Sequence, residues 1–203
     1  MKKVLIATTN LGKYKTFKSI FDELGIQTCN LGDLNISLDV KEDGKNELEN
    51  AVIKAKAYHK LTNMPVMSCD SGLFINKFAL KDQPKEFVRR YNGKELSDRE
   101  ILDIYIQKLE NVGGKSKGHF VTAFAIIDEN GKLFTKLFKP KHLFVAKPSS
   151  VLIPGVPLSS LSYDKHFKKY TSEMSDEEMK LSAGKVRKTQ KKFIKKIFKN
   201  YIS

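Results

Sequence analysis

The sequence predicts an α/β protein, and residues 4–25 give the clearest reason. Val4–Ala7 is an apolar run that suits a strand covered on both faces. A short polar turn follows over residues 8–13, and apolar side chains then recur at helical spacing at Phe17, Ile20, Phe21 and Leu24. Strand and amphipathic-helix patterns alternate again later in the chain, which predicts a mixed sheet with helices on its faces.

The other elements of the first half follow from periodicity and turn chemistry. Along one face of a second predicted helix lie the polar residues Glu47, Asn50 and Lys54. Short strands are expected on both sides of Asp70, so that this carboxylate lies at a strand-to-strand turn. The expected bounds are strands over 3–8 and 26–30, helices over 13–24 and 45–61, and a loop containing acidic residues over 31–44.

A helix and a hairpin are expected in the middle of the chain. Ser97 is predicted to cap a helix that reaches about Glu110, and Gly113 and Gly114 are predicted to end it. The Asp-Glu-Asn-Gly segment at 128–131 has hairpin chemistry, so the flanking residues should pair as two long antiparallel strands. The remaining expected elements are a loop and short helix over 82–91, the hairpin strands over 120–127 and 132–138, a further strand over 142–146 and a loop over 148–160.

The turn over residues 8–13 has the composition of an anion-binding site. It supplies the hydroxyls of Thr8 and Thr9, the amide of Asn10, a flexible glycine at Gly12 and the ammonium of Lys13. Backbone N–H groups of the turn and the positive end of the helix dipole would face the same small volume, and phosphate is the expected guest. The turn lacks the full P-loop pattern, so a simple helix N-cap is the alternative interpretation.

The composition is typical of an intracellular globular protein. With 203 residues and 40% hydrophobic content, the chain suits one large domain or two closely joined lobes, which are expected to be interleaved because no linker appears. Cys29 and Cys69 are the two cysteines, so neither a disulfide framework nor a cysteine zinc site is indicated. The opening apolar run is too short for a signal peptide, and no span reaches the roughly 20 apolar residues of a membrane helix. We therefore expect a cytoplasmic location and no membrane partner.

The formal net charge of +14 favours anionic partners or a solvated, lysine-rich surface. Most of the excess is scattered over the chain, but residues 185–199 carry eight Lys or Arg and no acid. We expect a basic amphipathic helix over about 185–202, with its apolar face on the core and its lysines in water. Contact with nucleic acid or a membrane surface is the less favoured alternative.

Five motifs, in order and at a consistent spacing, resemble the inosine triphosphate pyrophosphatase family. Enzymes of this family remove non-canonical purine nucleoside triphosphates by releasing pyrophosphate. The resemblance implies an elongated, twisted mixed sheet flanked by helices, a substrate cleft between two interleaved lobes of a single domain over 1–203, and a homodimer. The motifs are ATTNLGK at 7–13, EDG at 42–44 followed by ENAVIKA at 49–55, CDSGL at 69–73, RYNG at 90–93 and SYDKHF at 162–167.

The same resemblance implies attack of water at a phosphorus atom of a nucleoside triphosphate, with a divalent cation bound. Asp70 corresponds to the family's general base, and Asp70 and Glu42 correspond to its metal-associated acids. Mg²⁺ suits such hard oxygen donors, with Mn²⁺ as a substitute. Phosphate contacts are implied for Thr8, Asn10, Lys13, Lys54 and Ser71.

One departure from the family pattern concerns the metal region. The family has two neighbouring acids before Ser-Gly, whereas this chain has Cys69 and Asp70. The change removes one negative charge, so we expect weaker metal binding. Cys69 itself is expected to be a small buried thiol rather than a nucleophile.

Two further departures concern the purine pocket. Tyr163 and Asp164 are kept as predicted substrate contacts, but Leu161 replaces an aromatic residue and cannot stack on a purine. The Ser-His-Arg signature that reads the purine edge is also replaced, and Lys185 supplies a point charge in place of a planar guanidinium. His166 remains a candidate substrate contact, and packing or surface roles are expected for His59, His119 and His142.

These observations lead to one predicted function and one alternative. The predicted function is a metal-dependent nucleoside triphosphate pyrophosphohydrolase with altered base recognition, which the retained 8–13 turn, Glu42 and Asp70 favour. The alternative is a catalytically weak or inactive relative that binds a nucleotide as a sensor or interaction protein. Cys69 and the missing His-Arg pair favour that alternative.

Overall fold

The computed structural model describes residues 3–85, 88 and 94–201, together with the backbone of 90–91. The chain forms two compact units from interleaved segments. The first unit comprises Met1–Asp70, Thr122–Phe138 and Val186–Ser203, and the second comprises Ser71–Val121 and Lys139–Lys185.

The elements in chain order combine five helices with short and long strands in the described part of the chain. The helices are α1 (Leu11–Asp22), α2 (Glu47–Thr62), α3 (Asp98–Glu110), α4 (Asp176–Ser182) and α5 (Gly184–Ile197). The strands are β1 (Val4–Ala7), β2 (Thr28–Cys29), β3 (Val66–Ile75), β4 (Arg90–Tyr91), β5 (Lys94–Glu95), β6 (Lys115–Ile127), β7 (Leu133–Phe138), β8 (Lys141–Val145), β9 (Ser162–Asp164) and β10 (Lys169–Tyr170).

The sheet of the first unit is mixed. β1 pairs in parallel with β2 and β3, in a register that aligns Ala7 with Ser68. β3 is followed in strand order by β6, whose final residues pair antiparallel with β7. The mixed sheet and its flanking helices confirm the predicted α/β class.

Strand alternation gives this sheet two apolar faces, each covered by helices. On one face, α1 and α5 cover a cluster that includes Val4, Ile6, Phe17, Phe21, Met67, Phe124, Ile194 and Phe198. On the other face, α2 packs against strand residues in two clusters that include Leu5, Ala7, Ala51, Ala55, Tyr58, Ala123 and Ala125. A sheet covered on both sides needs apolar residues at every strand position, and all four residues of β1 are buried.

The second unit has its own core around α3. β8 pairs antiparallel with the first residues of β6 and with β9, and β9 pairs with β10. Ser97 and Glu100 form a capping box at the start of α3. Gly113 and Gly114 end the helix region with φ angles of 91° and 74°, which glycine adopts without steric cost. The core includes Leu73, Ile75, Ile101, Leu102, Tyr105, Leu109, Phe144 and Leu161.

The predicted strand-to-strand turn at Asp70 is wrong, because β3 runs without interruption from Val66 to Ile75. The Ser-Cys-Asp-Ser-Gly composition suggests a turn. In the structure, however, Asp70 has partners on α2, and Ser68 donates a hydrogen bond to the Ala51 carbonyl. Tertiary hydrogen bonds therefore satisfy the polar face of the strand and override its local composition.

Most other predicted elements are confirmed, and some bounds change. The β6–β7 hairpin, α3 and β8 are present as expected. The predicted strand at 26–30 shortens to β2, and the C-terminal helix ends at Ile197 before a 3-10 turn at Lys199–Tyr201. The loops contain 3-10 turns at Gly32–Leu34, Leu80–Asp82 and Pro157–Ser160.

Two predictions fall partly outside the described residues. Within the loop and short helix expected over 82–91, the described backbone contains the end of a 3-10 turn at Asp82 and strand β4 at Arg90–Tyr91, and residues 86, 87 and 89 lie outside that description. Asn92 and Gly93 of the RYNG motif, and residue 202 at the end of the predicted C-terminal helix, also lie outside it.

Candidate functional site

The 8–13 turn connects β1 to the first turn of α1. Asn10 is the N-cap of α1, and its side-chain oxygen accepts the Lys13 N–H at 2.9 Å. Thr8 Oγ1 accepts the Asn10 N–H at 3.2 Å. The helix cap is therefore present, but the N–H groups of Leu11 and Gly12 have no hydrogen-bond partner in the part of the chain that the structure describes. These groups lie at the positive end of the helix and remain available to an anion.

A lysine held between two carboxylates lies close to this turn. The Lys54 ammonium is 2.7 Å from Glu42 Oε2 and 3.3 Å from Asp70 Oδ1. The Lys54 and Asp70 side chains are 13% and 12% exposed, and the Glu42 side chain is 41% exposed. Burial lowers the pKa of Lys54, but the charges of Asp70 and Glu42 outweigh burial, and its pKa is raised overall. Lys54 is therefore a fixed positive charge.

Asn50 is a buried residue of this cluster to which the sequence assigned no functional role. Its Nδ2 donates to Asp70 Oδ2 at 3.4 Å, and its Oδ1 accepts the Gly44 N–H at 2.8 Å. Because Gly44 follows Glu42 closely in the chain, Asn50 links the loop that carries Glu42 to the strand that carries Asp70. The feature of the sequence that could have identified Asn50 is its position one helical turn before Lys54, on the polar face of the same helix.

The parallel register of β1 and β3 brings the turn and the cluster together. Ala7 pairs with Ser68, so the turn begins beside the segment of β3 that contains Asp70. Asn10, Gly12 and Lys13 follow in the turn and in the start of α1. A groove of about 90 Å³ is lined by Ala7, Thr8, Thr9, Leu38, Asp39, Val40, Glu42, Lys54 and Tyr58. A larger groove, of about 490 Å³, shares Thr8, Thr9, Leu38 and Asp39 with it.

Cys69 lies on the opposite face of β3 from Asp70. Its side chain is 3% exposed and packs in the cluster beneath α1 and α5, which confirms the expected buried thiol. Burial raises the pKa of this thiol, so it stays protonated and is a poor metal ligand. Successive side chains of a strand alternate between faces, which also places Ser71 on the side away from Asp70. The predicted phosphate contact of Ser71 stays a prediction.

The donor set of this cluster fits a hard divalent cation. Among the residues that the structure describes, no group of three or more His, Cys, Asp or Glu side chains is arranged for a metal ion. Glu42 and Asp70 nevertheless converge on one cationic atom, the Lys54 Nζ. Mg²⁺ commonly takes one or two protein carboxylates and completes its shell with water and phosphate oxygens. Two carboxylates that reach one point supply enough protein donors for such an ion, and in this structure the Lys54 ammonium occupies that point.

The predicted purine contacts lie in the second unit, where the fold already uses several of them. Asp164 accepts a hydrogen bond from the Ser182 hydroxyl and from the N–H groups of His166 and Phe167, the latter two at 2.8 and 3.1 Å. Burial raises the pKa of Asp164, but these hydrogen bonds outweigh burial and its pKa is lowered. Tyr163 is half-buried and packs edge-on against Tyr170.

The other residues at positions predicted to contact the purine are either buried in the core or exposed at the surface. Leu161 is fully buried in the core of the second unit, so it does not offer a surface to a base. Lys185, at the start of α5, and His166 are exposed. The packing or surface roles expected for three histidines are confirmed: His59 contacts the Met64 carbonyl, His119 stacks on Phe74, and His142 contacts Ser162.

Comparison with known proteins identifies the family. A family model described as the Ham1 family matches residues 4–146. The chain belongs to the Ham1 family. This membership confirms the resemblance seen in the sequence motifs.

Relatives of known description support the same membership. A dITP/XTP pyrophosphatase of Leptospira interrogans is 36% identical over 129 residues, which are 64% of this chain and 64% of that protein. A dITP/XTP pyrophosphatase of Staphylococcus aureus is 33% identical over 139 residues, or 68% of each chain. The chain thus aligns with somewhat less than two thirds of the Leptospira protein.

Solved structures of Ham1 proteins have the same fold. The similarity to a HAM1 protein from Coxiella burnetii has a TM-score of 0.76 at 22% identity and covers 97% of this chain and 100% of that one. The similarity to the Staphylococcus aureus Ham1 protein has a TM-score of 0.72 at 23% identity and covers 94% and 99%. In the described part of this chain, no helix combines the length and apolar character needed to span a membrane.

Proposed function

We propose that this protein is a nucleoside triphosphate pyrophosphohydrolase that releases a nucleoside monophosphate and pyrophosphate. The observation that carries the proposal is the Glu42–Lys54–Asp70 cluster, of which Glu42 and Lys54 line one groove together with the start of the 8–13 turn. Membership of the Ham1 family supports it, as do the relatives described as dITP/XTP pyrophosphatases.

Glu42 and Asp70 are the residues that would hold a divalent cation, with Mg²⁺ as the proposed ion and Mn²⁺ as a substitute. When bound, such an ion neutralises the triphosphate charge and polarises the phosphorus–oxygen bonds. Asp70 is buried beside Lys54 and Asn50, so its carboxylate has a defined orientation in which to accept the proton of an attacking water. The water oxygen joins phosphorus, and the bond between the α- and β-phosphates breaks.

The 8–13 turn and Lys54 would hold the departing pyrophosphate. The Leu11 and Gly12 N–H groups, the Lys13 ammonium and the positive end of α1 all favour negative charge at the start of the helix. Lys54 adds a second cation, whose ammonium contacts both Glu42 and Asp70. Fixed donors of this kind stabilise charge that develops in the transition state.

We also propose altered base recognition, a homodimer and a cytoplasmic location. The first rests on the replacement of the family's purine-reading signature near Lys185 and on the burial of Leu161. The homodimer rests on the family resemblance, and the cytoplasmic location on a composition typical of intracellular globular proteins. Gel filtration with light scattering tests the dimer directly.

Pyrophosphate release from a panel of triphosphates tests the main proposal. The panel contains inosine, xanthosine, adenosine and guanosine triphosphates, each with Mg²⁺, with Mn²⁺ and with a chelator. Metal-dependent release of pyrophosphate is expected, with the nucleoside monophosphate in equal amount. Triphosphate binding without product under all conditions would refute the enzyme and establish the inactive nucleotide-binding alternative.

A further inference from the structure

We infer that Asn50 is a positioning residue that sets the orientation of the Asp70 carboxylate relative to the loop carrying Glu42. The inference rests on the proposed function and adds a residue to its machinery. Asn50 is buried on α2, and each half of its side-chain amide has a partner on a different segment: Asp70 of β3 on one side and Gly44 of the loop on the other.

The chemistry of the two partners determines which way the amide points. A carboxylate only accepts hydrogen bonds and a backbone N–H only donates, so the NH₂ group must face Asp70 and the oxygen must face Gly44. Gly44 can approach because it lacks a side chain. A Cβ there would lie 2.7 Å from Asn50 Oδ1 and 2.9 Å from the Asn50 backbone nitrogen. The glycine of the EDG motif is therefore required by this contact.

Two substitutions at Asn50 separate the two hydrogen bonds. Asn50→Ala removes both, whereas Asn50→Asp keeps an acceptor for the Gly44 N–H and replaces the donor to Asp70 with a second negative charge. Ser68→Ala is the matched control, because it removes one buried hydrogen bond between the same strand and helix without touching Asp70 or the loop.

Steady-state kinetics of pyrophosphate release with Mg²⁺ tests the inference. Both Asn50 variants should lose about 10–100-fold in kcat, as residues that orient active groups typically do, with KM changed less than threefold. Ser68→Ala should keep kcat within about twofold. Wild-type kcat in Asn50→Asp, or an equal loss in Ser68→Ala, would overturn the inference.

Hydrogen exchange of the Gly44 amide gives a readout independent of activity. Protection should be present in the wild type and in Asn50→Asp and absent in Asn50→Ala. If the wild-type protein released no pyrophosphate, that result would refute the proposed function but would not affect the positioning inference. Full Gly44 protection in Asn50→Ala would overturn the positioning inference whether or not the protein is active.

A second, independent observation concerns the outer face of α5. Exposed lysines recur at helical spacing at 188, 192 and 195, with Lys196 beside them, and the row continues at Lys199 in the 3-10 turn that follows α5. Among the residues that the structure describes, these lysines form no ion pair, whereas Arg187 and Lys191 of the same helix both pair with Glu23 of α1. Two cations of the helix are thus neutralised by Glu23, whereas five exposed lysines have no ion-pair partner among the described residues. We call these five the lysine row (Lys188, Lys192, Lys195, Lys196 and Lys199).

We infer that the lysine row binds the phosphate backbone of nucleic acid. From Lys188 to Lys199 it extends about 16 Å, at the helical rise of about 1.5 Å per residue, which matches about five base pairs of duplex. Binding to a membrane would need an exposed apolar face, but the apolar face of α5 is packed on the core, with Ile194 and Phe198 fully buried. The available interaction is therefore electrostatic.

Fluorescence anisotropy with a labelled 20-base-pair DNA of mixed sequence tests this surface. A slope of log affinity against log salt of about −4 is expected, because each neutralised phosphate contributes about −0.9. Lys192→Gln/Lys195→Gln/Lys199→Gln should reduce the size of the slope by about 3. The matched control changes three exposed lysines elsewhere, Lys56, Lys60 and Lys81, to Gln and should retain the wild-type slope.

Equal losses in the two triple variants would show that overall charge, not the lysine row, attracts the DNA. Binding to phosphatidylserine vesicles with no binding to DNA at the same salt concentration would replace nucleic acid with a lipid surface. Either result would overturn the inference.

Discussion

The residues predicted to bind phosphate, here called the phosphate side, and those predicted to bind the purine, here called the purine side, use their polar groups differently. On the phosphate side, Lys54 contacts both Glu42 and Asp70, which lie on different segments of the chain, and Lys54 and Glu42 line a groove. On the purine side, Asp164 is occupied by hydrogen bonds within its own unit, and Leu161 is buried. The first set is arranged around charge, whereas the second set holds the fold together.

The family match follows the same division. It covers residues 4–146 and ends before the segment that contains Leu161, Asp164 and Lys185, although the structural similarity to the Coxiella burnetii protein covers 97% of the chain. The C-terminal part thus keeps its fold where the family pattern in the sequence is not matched. Binding a triphosphate requires charges at set positions, whereas packing a core requires only apolar volume, so the second requirement tolerates more substitution.

Asp70→Asn should reduce activity more than the other substitutions considered, because it changes the carboxylate at the centre of the phosphate side. We expect kcat for pyrophosphate release to fall about 10²–10⁴-fold, because the amide is nearly isosteric but cannot accept a proton. Asp43→Asn, an exposed acid in the loop beside Glu42, is the matched control and should keep its activity. Equal rates for Asp70→Asn and wild type would remove Asp70 from the mechanism.

Cys69→Asp tests whether the lost acid of the family pattern matters to the site. Because Cys69 faces the apolar cluster under α1 and α5, we now expect an aspartate there to destabilise the fold by about 3 kcal/mol rather than to restore metal binding. Urea denaturation measures the change, with Cys69→Ala as the control for lost packing. If Cys69→Asp were as stable as the wild type and bound Mg²⁺ more tightly, the prediction would be wrong and position 69 would contribute to the metal site.

Lys13→Ala tests the 8–13 turn. We expect triphosphate affinity to fall about 10–100-fold, since a charge-assisted contact contributes about 1.5–3 kcal/mol. Calorimetry in the Asp70→Asn background avoids turnover of the ligand. Lys15→Ala, an exposed lysine in the same helix, is the control, and comparable losses in both would point to general charge rather than to the turn.

The smallest expected effect concerns the purine side. Activity should vary less than about tenfold among purine triphosphates, the scale left to shape and apolar contact when the edge-reading groups are absent. Values of kcat/KM measured for inosine, xanthosine and adenosine triphosphates give the comparison. A preference of hundreds-fold for inosine triphosphate would show that residues other than those near Lys185 read the base.

Short-range patterns in the sequence are enough to predict the local elements and to suggest the kind of chemistry. The β1–turn–α1 unit, the cap of α3 at Ser97 and the β6–β7 hairpin follow from apolar periodicity and turn residues within a short window. The candidate residues Thr8, Glu42, Lys54 and Asp70 were also identified from motif positions, and the structure brings them together in one unit.

Contacts between distant parts of the chain determine the course of β3, the face on which Cys69 lies and the partners of Asn50. A polar Ser-Cys-Asp-Ser-Gly segment suggests a turn until α2 supplies Lys54, Asn50 and the Ala51 carbonyl as partners. Strand alternation then directs Asp70 toward the site and Cys69 toward the core. These outcomes depend on contacts between residues far apart in the chain, whose register is set by packing and hydrogen bonding across elements rather than by local composition.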